Sequence, residues 1–184
     1  MRLLVAFAPF LAFLLAQHAV GIVPALGFGA AVAAVLVVRE RMEGAREASV
    51  LEIGTATMFG ALAICAACMK DVTWSVGLVR LFVDCGLMLI VLGGVVVGRP
   101  FTLALARPQV STELAASPGF LRINREIACV WAGAFGVLAL ADLILILQPT
   151  WPLALPIAIS GAGVIGAMAF TRWWPRQVSG RGRA

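Results

Sequence analysis

The sequence predicts an all-α protein, a polytopic bundle of about six membrane-spanning helices. Of its 184 residues, 62% are hydrophobic and only 12% are charged, which is about half the charged share of an ordinary soluble domain. The mean hydropathy of the chain is +1.03. Helices of a soluble protein keep one polar face toward water, and this composition leaves too few polar residues to supply those faces. No stretch resembles a linker, so we expect a single domain.

Six apolar segments have lengths close to the roughly 20 residues that a spanning helix needs. They are too long and too continuously apolar to be barrel strands, in which apolar and polar residues alternate. The predicted spans are residues 3–17, 20–38, 49–69, 74–98, 125–147 and 152–170. They form a predicted bundle over residues 1–171. The remaining residues, 172–184, are predicted to be a disordered basic tail in the cytoplasm, attracted to anionic lipid headgroups.

The arginines predict the orientation of the bundle. With the N terminus inside, the cytoplasmic segments contain twelve of the fourteen basic residues, and such an excess is typical of cytoplasmic loops. Lys70 is the only basic residue of the outer loops, and Arg80 lies within the fourth span. We therefore expect both termini to be cytoplasmic, in a bacterial inner membrane. The twelve are Arg2, Arg39, Arg41, Arg46, Arg99, Arg107, Arg122, Arg125, Arg172, Arg176, Arg181 and Arg183. Tryptophans at predicted interfaces are Trp74, Trp151, Trp173 and Trp174.

The longest predicted loop, from residue 99 to residue 124, faces the cytoplasm. Ser117 followed by Pro118 is typical of a helix cap and first turn, so the fifth helix can begin near Gly119, before the membrane. The apolar segment 101–106 is predicted to lie on the membrane surface.

Ionisable residues inside the predicted spans are the main candidates for function, because each is costly in a bilayer unless it is paired. Arg80 and Asp84 are four residues apart and share one helix face. Arg80 is six residues from Trp74, and Asp142 is six residues from Gln148. At about 1.5 Å per residue, both lie roughly 9 Å below the outer surface. Asp142 can thus meet Arg80, either as a proton or substrate site or as a structural ion pair.

Other reactive residue types give weaker signals. Cys65 and Cys68 form a CxxC near the outer end of the third span, which suits either a membrane thiol oxidoreductase or small apolar filling. His18 is the only histidine, and a metal site is not predicted. Glu52 and Glu126 are predicted to be solvated helix ends. No catalytic triad, phosphate-binding loop or cofactor motif is present, so we expect no catalytic residues, no enzyme activity and no cofactor.

Small residues in the last three spans are predicted to form helix-packing faces. Gly161, Gly163 and Gly166 spell a GxGxxG, but the strand and downstream acidic residue of a dinucleotide site are absent from the sequence, so these three glycines are predicted to be helix-packing residues instead. The other predicted packing residues are Gly94, Gly98, Ala132 and Gly136. The net charge of +5 is spread over loops between apolar segments, which argues against nucleic acid as a partner.

The order of several short motifs resembles the bacterial intracellular septation protein A family (YciB). Residues 9–13, PFLAF, look like its first helix, and Phe59-Gly60 resembles its FG pair. Phe120 and Asp142 stand where the family has Trp and Asn, and the gap from Asn124 to Trp131 is about one helical turn longer. The positions similar to the family are Pro9, Arg99, Pro100, Pro118, Asn124, Trp131 and Phe135.

The resemblance implies a non-enzymatic role in septation or envelope maintenance, through contacts with the lipid bilayer and with other inner-membrane proteins or copies of itself. The residues leave two alternatives open. One is a small transporter or channel subunit that uses Arg80, Asp84 and Asp142. The other is a thiol oxidoreductase that uses Cys65 and Cys68.

Overall fold

The computed structural model describes residues 5, 7–42, 50–69, 74–148, 150, 152 and 154–181. All regular secondary structure in these ranges is helical. The sequence-based assignments of Arg2, Arg46, Lys70, Trp151 and Arg183 concern positions outside the described residues. The elements are α1 (Ala8–Val20), α2 (Ile22–Met42), α3 (Val50–Cys68), α4 (Val76–Val96), α5 (Phe101–Ala106), a 3-10 turn (Arg107–Gln109), α6 (Thr112–Ala115), α7 (Pro118–Leu147) and α8 (Ala154–Arg181).

Five of these helices, α2, α3, α4, α7 and α8, are long and apolar enough to span a membrane. This confirms the predicted helical class and indicates a multi-pass membrane protein. Helix α1 is apolar but has only 13 residues, about 20 Å of helix against a hydrocarbon layer of about 30 Å. Helix α7 has 30 residues, or about 45 Å, so it extends beyond that layer.

The helices pack largely in chain order, α1 on α2, α2 on α3 and α3 on α4. Helix α7 then covers α4, the most extensive contact between described elements, and α8 packs on α7. At each interface from α2 to α8, a large side chain occupies the space above a glycine, which lets two helix backbones approach closely. These pairs are Gly29 with Phe59, Gly54 with Ile90, Gly86 with Met58, Gly136 with Met88, and Gly163 with Leu138.

Local signals in the sequence account for several helix ends. Ser117 Oγ accepts a hydrogen bond from the Phe120 amide at 3.3 Å, and Pro118 occupies the first turn, as the sequence predicts. Ser75 caps α4 in the same way. Helix α4 ends at Val96, and Gly98, two residues later, has a φ of 75°, which suits a residue without a Cβ. This also corrects a prediction, since Gly98 is a turn residue with no neighbouring side chain rather than a packing residue.

Two further predictions differ from the structure. Helix α8 continues to Arg181, whereas residues 172–184 were predicted to be a disordered tail. The extension has a packing partner, because α7 begins at Pro118 and gives the second half of α8 a surface to contact. The segment 101–106 is also not a surface helix. Phe101, Thr102 and Leu103 are buried, and α5 packs against α7.

Candidate functional site

The candidate site is the charged cluster formed by Arg80, Asp84 and Asp142 between α4 and α7. Arg80 and Asp84 lie one turn apart on the α4 face that is buried with Val79, Val83 and Leu87. Arg80 keeps 30% of its side chain exposed, while Asp84 is 9% exposed. The cluster therefore has one partly accessible side, at Arg80, and one closed side within the bundle.

Asp142 reaches this cluster from α7. Its Oδ1 atom lies 3.0 Å from Arg80 Nη2, and its side chain is 1% exposed. Its carboxyl group is also within hydrogen-bonding reach of the Asp84 carboxyl. The structure thus brings together all three residues that the sequence singled out, with Asp142 facing both the guanidinium and the second carboxyl group.

The contact between Arg80 and Asp142 is an ion pair rather than a well-directed hydrogen bond. The distance is short, but neither oxygen of Asp142 accepts a hydrogen bond of acceptable geometry from the described groups. In an apolar setting, an acceptor without a donor is costly. Asp142 therefore lacks a hydrogen-bond donor, and it faces the two groups that could provide one, the Arg80 guanidinium and the Asp84 carboxyl group.

The position of the cluster follows from the packing of α4 on α7. Gly136 of α7 receives Met88 of α4 at 3.2 Å from the position a Cβ would occupy, and Gly77 of α4 faces Ile146 of α7 at 3.5 Å. These two contacts lie on either side of the cluster along the helices. They fix the two helices in the antiparallel register in which Arg80 and Asp142 meet.

A second polar group joins α7 to α8 at the other end of the bundle. Glu126 accepts a hydrogen bond from Arg122 Nε at 2.9 Å and one from Trp174 Nε1 at 2.6 Å. Its two carboxylate oxygens each have a protein partner, while its side chain stays 31% exposed, so Glu126 lies at an accessible helix end and pairs there with Arg122. The pairing of Arg122 with Glu126 could be predicted from their spacing of four residues. The contact with Trp174 could not be predicted, because Trp174 was assigned to a tail.

Most residues that carry the family resemblance are buried in the interior, and two of them, Trp131 and Phe135, are in contact. The Trp131 ring lies 5.6 Å from Phe7, 6.4 Å from Phe101 and 5.8 Å from Phe135, and its Nε1 donates to Thr171 at 3.0 Å. Pro9, Pro100 and Asn124 are also buried. Arg99 and Pro118 lie at helix boundaries instead.

Asn124 connects α5 to α7. Its backbone carbonyl accepts a hydrogen bond from Thr102 Oγ1 at 2.7 Å, and its side-chain amide donates to the Phe120 carbonyl at 2.9 Å. Both contacts are within the protein, and Asn124 is 4% exposed. The role of Thr102 was not predicted, because the segment containing it was placed on the membrane surface.

The predicted packing residues have different outcomes. Gly136 receives Met88, and a Cβ added at Gly94 would lie 3.1 Å from the backbone carbonyl oxygen of Arg99. Ala132 is buried. Gly161 has open space where a Cβ would be, whereas Gly163, two residues later, receives Leu138. Of the three glycines in the GxGxxG stretch, Gly163 therefore packs against a neighbouring helix, whereas Gly161 and Gly166 face open space.

Cys65, Cys68 and a wide cleft beside them do not include any residue of the charged cluster. Cys65 and Cys68 are both free and exposed. Beside them, a wide cleft of about 560 Å³ is lined by Ile22, Val23, Pro24, Ala66, Ala67, Met69 and Trp74. Within the described ranges, no group of three or more metal-ligating side chains occurs.

No protein-family model, curated protein or solved structure matches this chain.

Proposed function

We propose that the chain is a non-enzymatic, multi-pass protein of the bacterial inner membrane that acts in septation and cell-envelope maintenance. It would work through contacts with other inner-membrane proteins or with copies of itself. The proposal includes α1 as a short sixth span and places both termini in the cytoplasm, on the side that carries most arginines. Because α1 is short, it would cross by local thinning of the bilayer.

The observation that supports this proposal is the burial of most family-like residues, namely Pro9, Pro100, Asn124, Trp131 and Phe135. Phe7, Phe101 and Phe135 surround the Trp131 ring, and Pro9 is buried on α1. Rings and proline shape a bundle but carry no acid, base or nucleophile. The resemblance is thus concentrated in residues that fix the shape of the bundle, as expected if the shape presents a contact surface.

Helix α8 offers the most open surface for such contacts. Its large residues Leu155, Ile157 and Ile165 are exposed, and Gly161 and Gly166 have free space above them. In a membrane, small residues on an open face allow a second helix to approach closely. We therefore place partner contacts on this face of α8.

Affinity purification from mildly solubilised membranes, followed by mass spectrometry, tests the proposal. We expect recovery of elongation, division or envelope-synthesis proteins. A Gly161→Phe variant should lose them, because it fills the open face of α8. The matched control is Gly27→Phe, which fills an equally open position on α2 and should keep them. A clean homo-oligomer with none of these proteins would count against the septation role.

The charged cluster favours a second candidate, a small transporter or channel subunit. Arg80, Asp84 and Asp142 lie within two apolar helices, and ionisable residues at such positions often mark ion pathways. Proton flux measured in vesicles would decide this, because Asp142→Asn should abolish a proton-coupled activity. Equal flux in vesicles with and without the wild-type protein would exclude the candidate.

A thiol oxidoreductase remains a lesser alternative. It rests on the free and exposed Cys65 and Cys68. Alkylation trapping in cells tests it directly, since both cysteines staying reduced under all growth conditions would rule it out.

A further inference from the structure

The cluster between α4 and α7 contains two carboxyl groups and one guanidinium. Asp142 is 3.0 Å from Arg80, and Asp84 is within hydrogen-bonding reach of Asp142. If both carboxyl groups were ionised, the cluster would carry one uncompensated negative charge in a buried, apolar position. Such a charge is strongly disfavoured in a protein interior unless it gains a partner.

The helices around the cluster do not supply a second cation. Helix α3 has no lysine or arginine between Val50 and Cys68. Its titratable residues are Glu52 at the far end and the exposed Cys65 and Cys68, while Cys85 follows Asp84 on α4. On α7, Cys129 and the charged residues Arg122, Arg125 and Glu126 lie 13 or more residues before Asp142, about 20 Å or more along the helix.

Helices α1 and α8 also place no second cation near the cluster among their described residues. On α1, the single titratable residue is His18, which is exposed. On α8, the basic residues Arg172, Arg176 and Arg181 lie in the last third of the helix, while its first turns are the part that contacts residues just after Asp142, such as Ile144. Arg80 is therefore the only cation that faces Asp84 and Asp142 from the described part of these helices.

The lack of hydrogen bonds to Asp142 indicates that the cluster contains a proton. Asp142 is 99% buried, given its 1% exposure, and neither of its oxygens accepts a hydrogen bond from the described groups. An ionised carboxylate cannot donate, whereas a protonated one has an O–H to offer. Two carboxyl groups within hydrogen-bonding reach of each other repel when both are ionised, and they are stable together when they share one proton. A proton on Asp84 would supply the donor that Asp142 lacks.

We propose that Asp84 and Asp142 form a proton-binding site that holds one proton, carried by Asp84, against the Arg80–Asp142 ion pair. The cluster then has no net charge, with Arg80 positive, Asp142 negative and Asp84 neutral. Asp142 is the ionised member because it faces the guanidinium. This inference does not depend on the septation role.

Infrared spectroscopy of the purified protein in lipid nanodiscs at neutral pH tests the proposal. A protonated carboxyl group has a C=O stretching band that is separate from the carboxylate bands and shifts in D2O. We expect this band in the wild-type protein. It should disappear in Asp84→Asn and also in Asp142→Asn, because either variant leaves one carboxyl group for one guanidinium. In Arg80→Gln, it should become about twice as intense, since neither carboxyl group then has a cation.

Glu126→Gln is the matched control, because Glu126 pairs with Arg122 and Trp174 at the other end of the bundle. It should leave the band unchanged. Absence of the band from the wild-type protein would overturn the proposal, and this result needs no variant to fold. A band that persists in both Asp84→Asn and Asp142→Asn would also overturn it, because the proton would then belong to another group.

Discussion

Arg80 and Asp142 face each other across the α4–α7 interface, with 3.0 Å between Nη2 and Oδ1. The pair is asymmetric, because Arg80 is partly exposed while Asp142 is almost completely buried. It joins the two described helices that make the most extensive contact in the bundle. Asp84, one turn from Arg80, makes a second carboxyl group available to the same guanidinium.

This asymmetry predicts unequal effects of removing the two partners. Arg80→Gln should lower the free energy of unfolding by about 3 kcal/mol, as expected when a buried pair loses one member. Asp142→Asn should cost only about 1 kcal/mol, the value of one hydrogen bond, because Asp84 can replace Asp142 as the counter-ion. Reversible unfolding in mixed micelles measures both.

A matched double variant checks this explanation. Asp84→Asn combined with Asp142→Asn leaves Arg80 without a counter-ion, so it should cost clearly more than the sum of the single changes. Simple additivity of the two changes would show that Asp84 does not substitute for Asp142.

The glycine contacts between neighbouring helices predict a second set of stability effects. Gly29→Ala would place a Cβ 2.7 Å from the Phe59 ring, and Phe59 is fully buried, so the ring has no room to move. We expect a loss of about 1–3 kcal/mol, as for other overpacked positions. Thermal unfolding in detergent measures the change.

Gly161→Ala is the control for this prediction, because a Cβ at Gly161 meets open space. It should be neutral or should stabilise α8 by up to about 1 kcal/mol through helix propensity. Equal destabilisation by the two alanine variants would contradict the packing described for α2 and α3.

The contacts of Trp131 predict different roles for its ring, which packs against three phenylalanines, and for its indole nitrogen, which binds Thr171 on α8. Trp131→Phe removes the hydrogen bond to Thr171 but keeps most of the aromatic packing, so it should cost about 1 kcal/mol. Trp131→Ala also empties the space between Phe7, Phe101 and Phe135, and should cost about 3–5 kcal/mol. Similar losses in both variants, measured by chemical unfolding, would mean that the ring packing contributes little.

The fold class and the charged cluster could be predicted from the sequence for the same physical reason. Long apolar runs have one stable arrangement in a bilayer, and ionisable residues within them must find partners. Depth counted from the helix ends was enough to place Arg80 opposite Asp142. The cap at Ser117 and Pro118 could be predicted because it depends on neighbouring residues alone.

Features that depend on contacts between distant segments could not be predicted. The end of α8, from Arg172 onward, has the composition of a basic tail, and only the hydrogen bond from Trp174 to Glu126 shows that it packs on α7. The segment 101–106 reads as a surface helix until Thr102 is seen to bind the Asn124 carbonyl. The sequence around Gly161 and Gly163 does not show which of the two glycines packs against α7. The rotation of α8 about its axis decides that Gly163 receives Leu138.

The proposed orientation predicts which loops a membrane-impermeant maleimide can reach. Gln109 follows α5 and Gln148 follows α7, and both are exposed. In a variant whose four native cysteines are replaced by alanine, Gln148→Cys should react when only the periplasm is accessible. Gln109→Cys should react only after the inner membrane is opened. The reverse pattern would show that the termini are periplasmic.

The measurement that tests the proposed function most directly is rescue by the Asp142→Asn variant. In bacteria that lack the protein, cell length and envelope integrity are compared after expression of the wild-type or variant chain at equal membrane levels. The proposed contact role predicts full rescue, since the variant keeps the bundle shape and the α8 face, and the resembling family carries Asn at this position. Failure of the variant to rescue, with normal membrane insertion and wild-type rescue intact, would contradict that role and favour proton-coupled transport through the cluster.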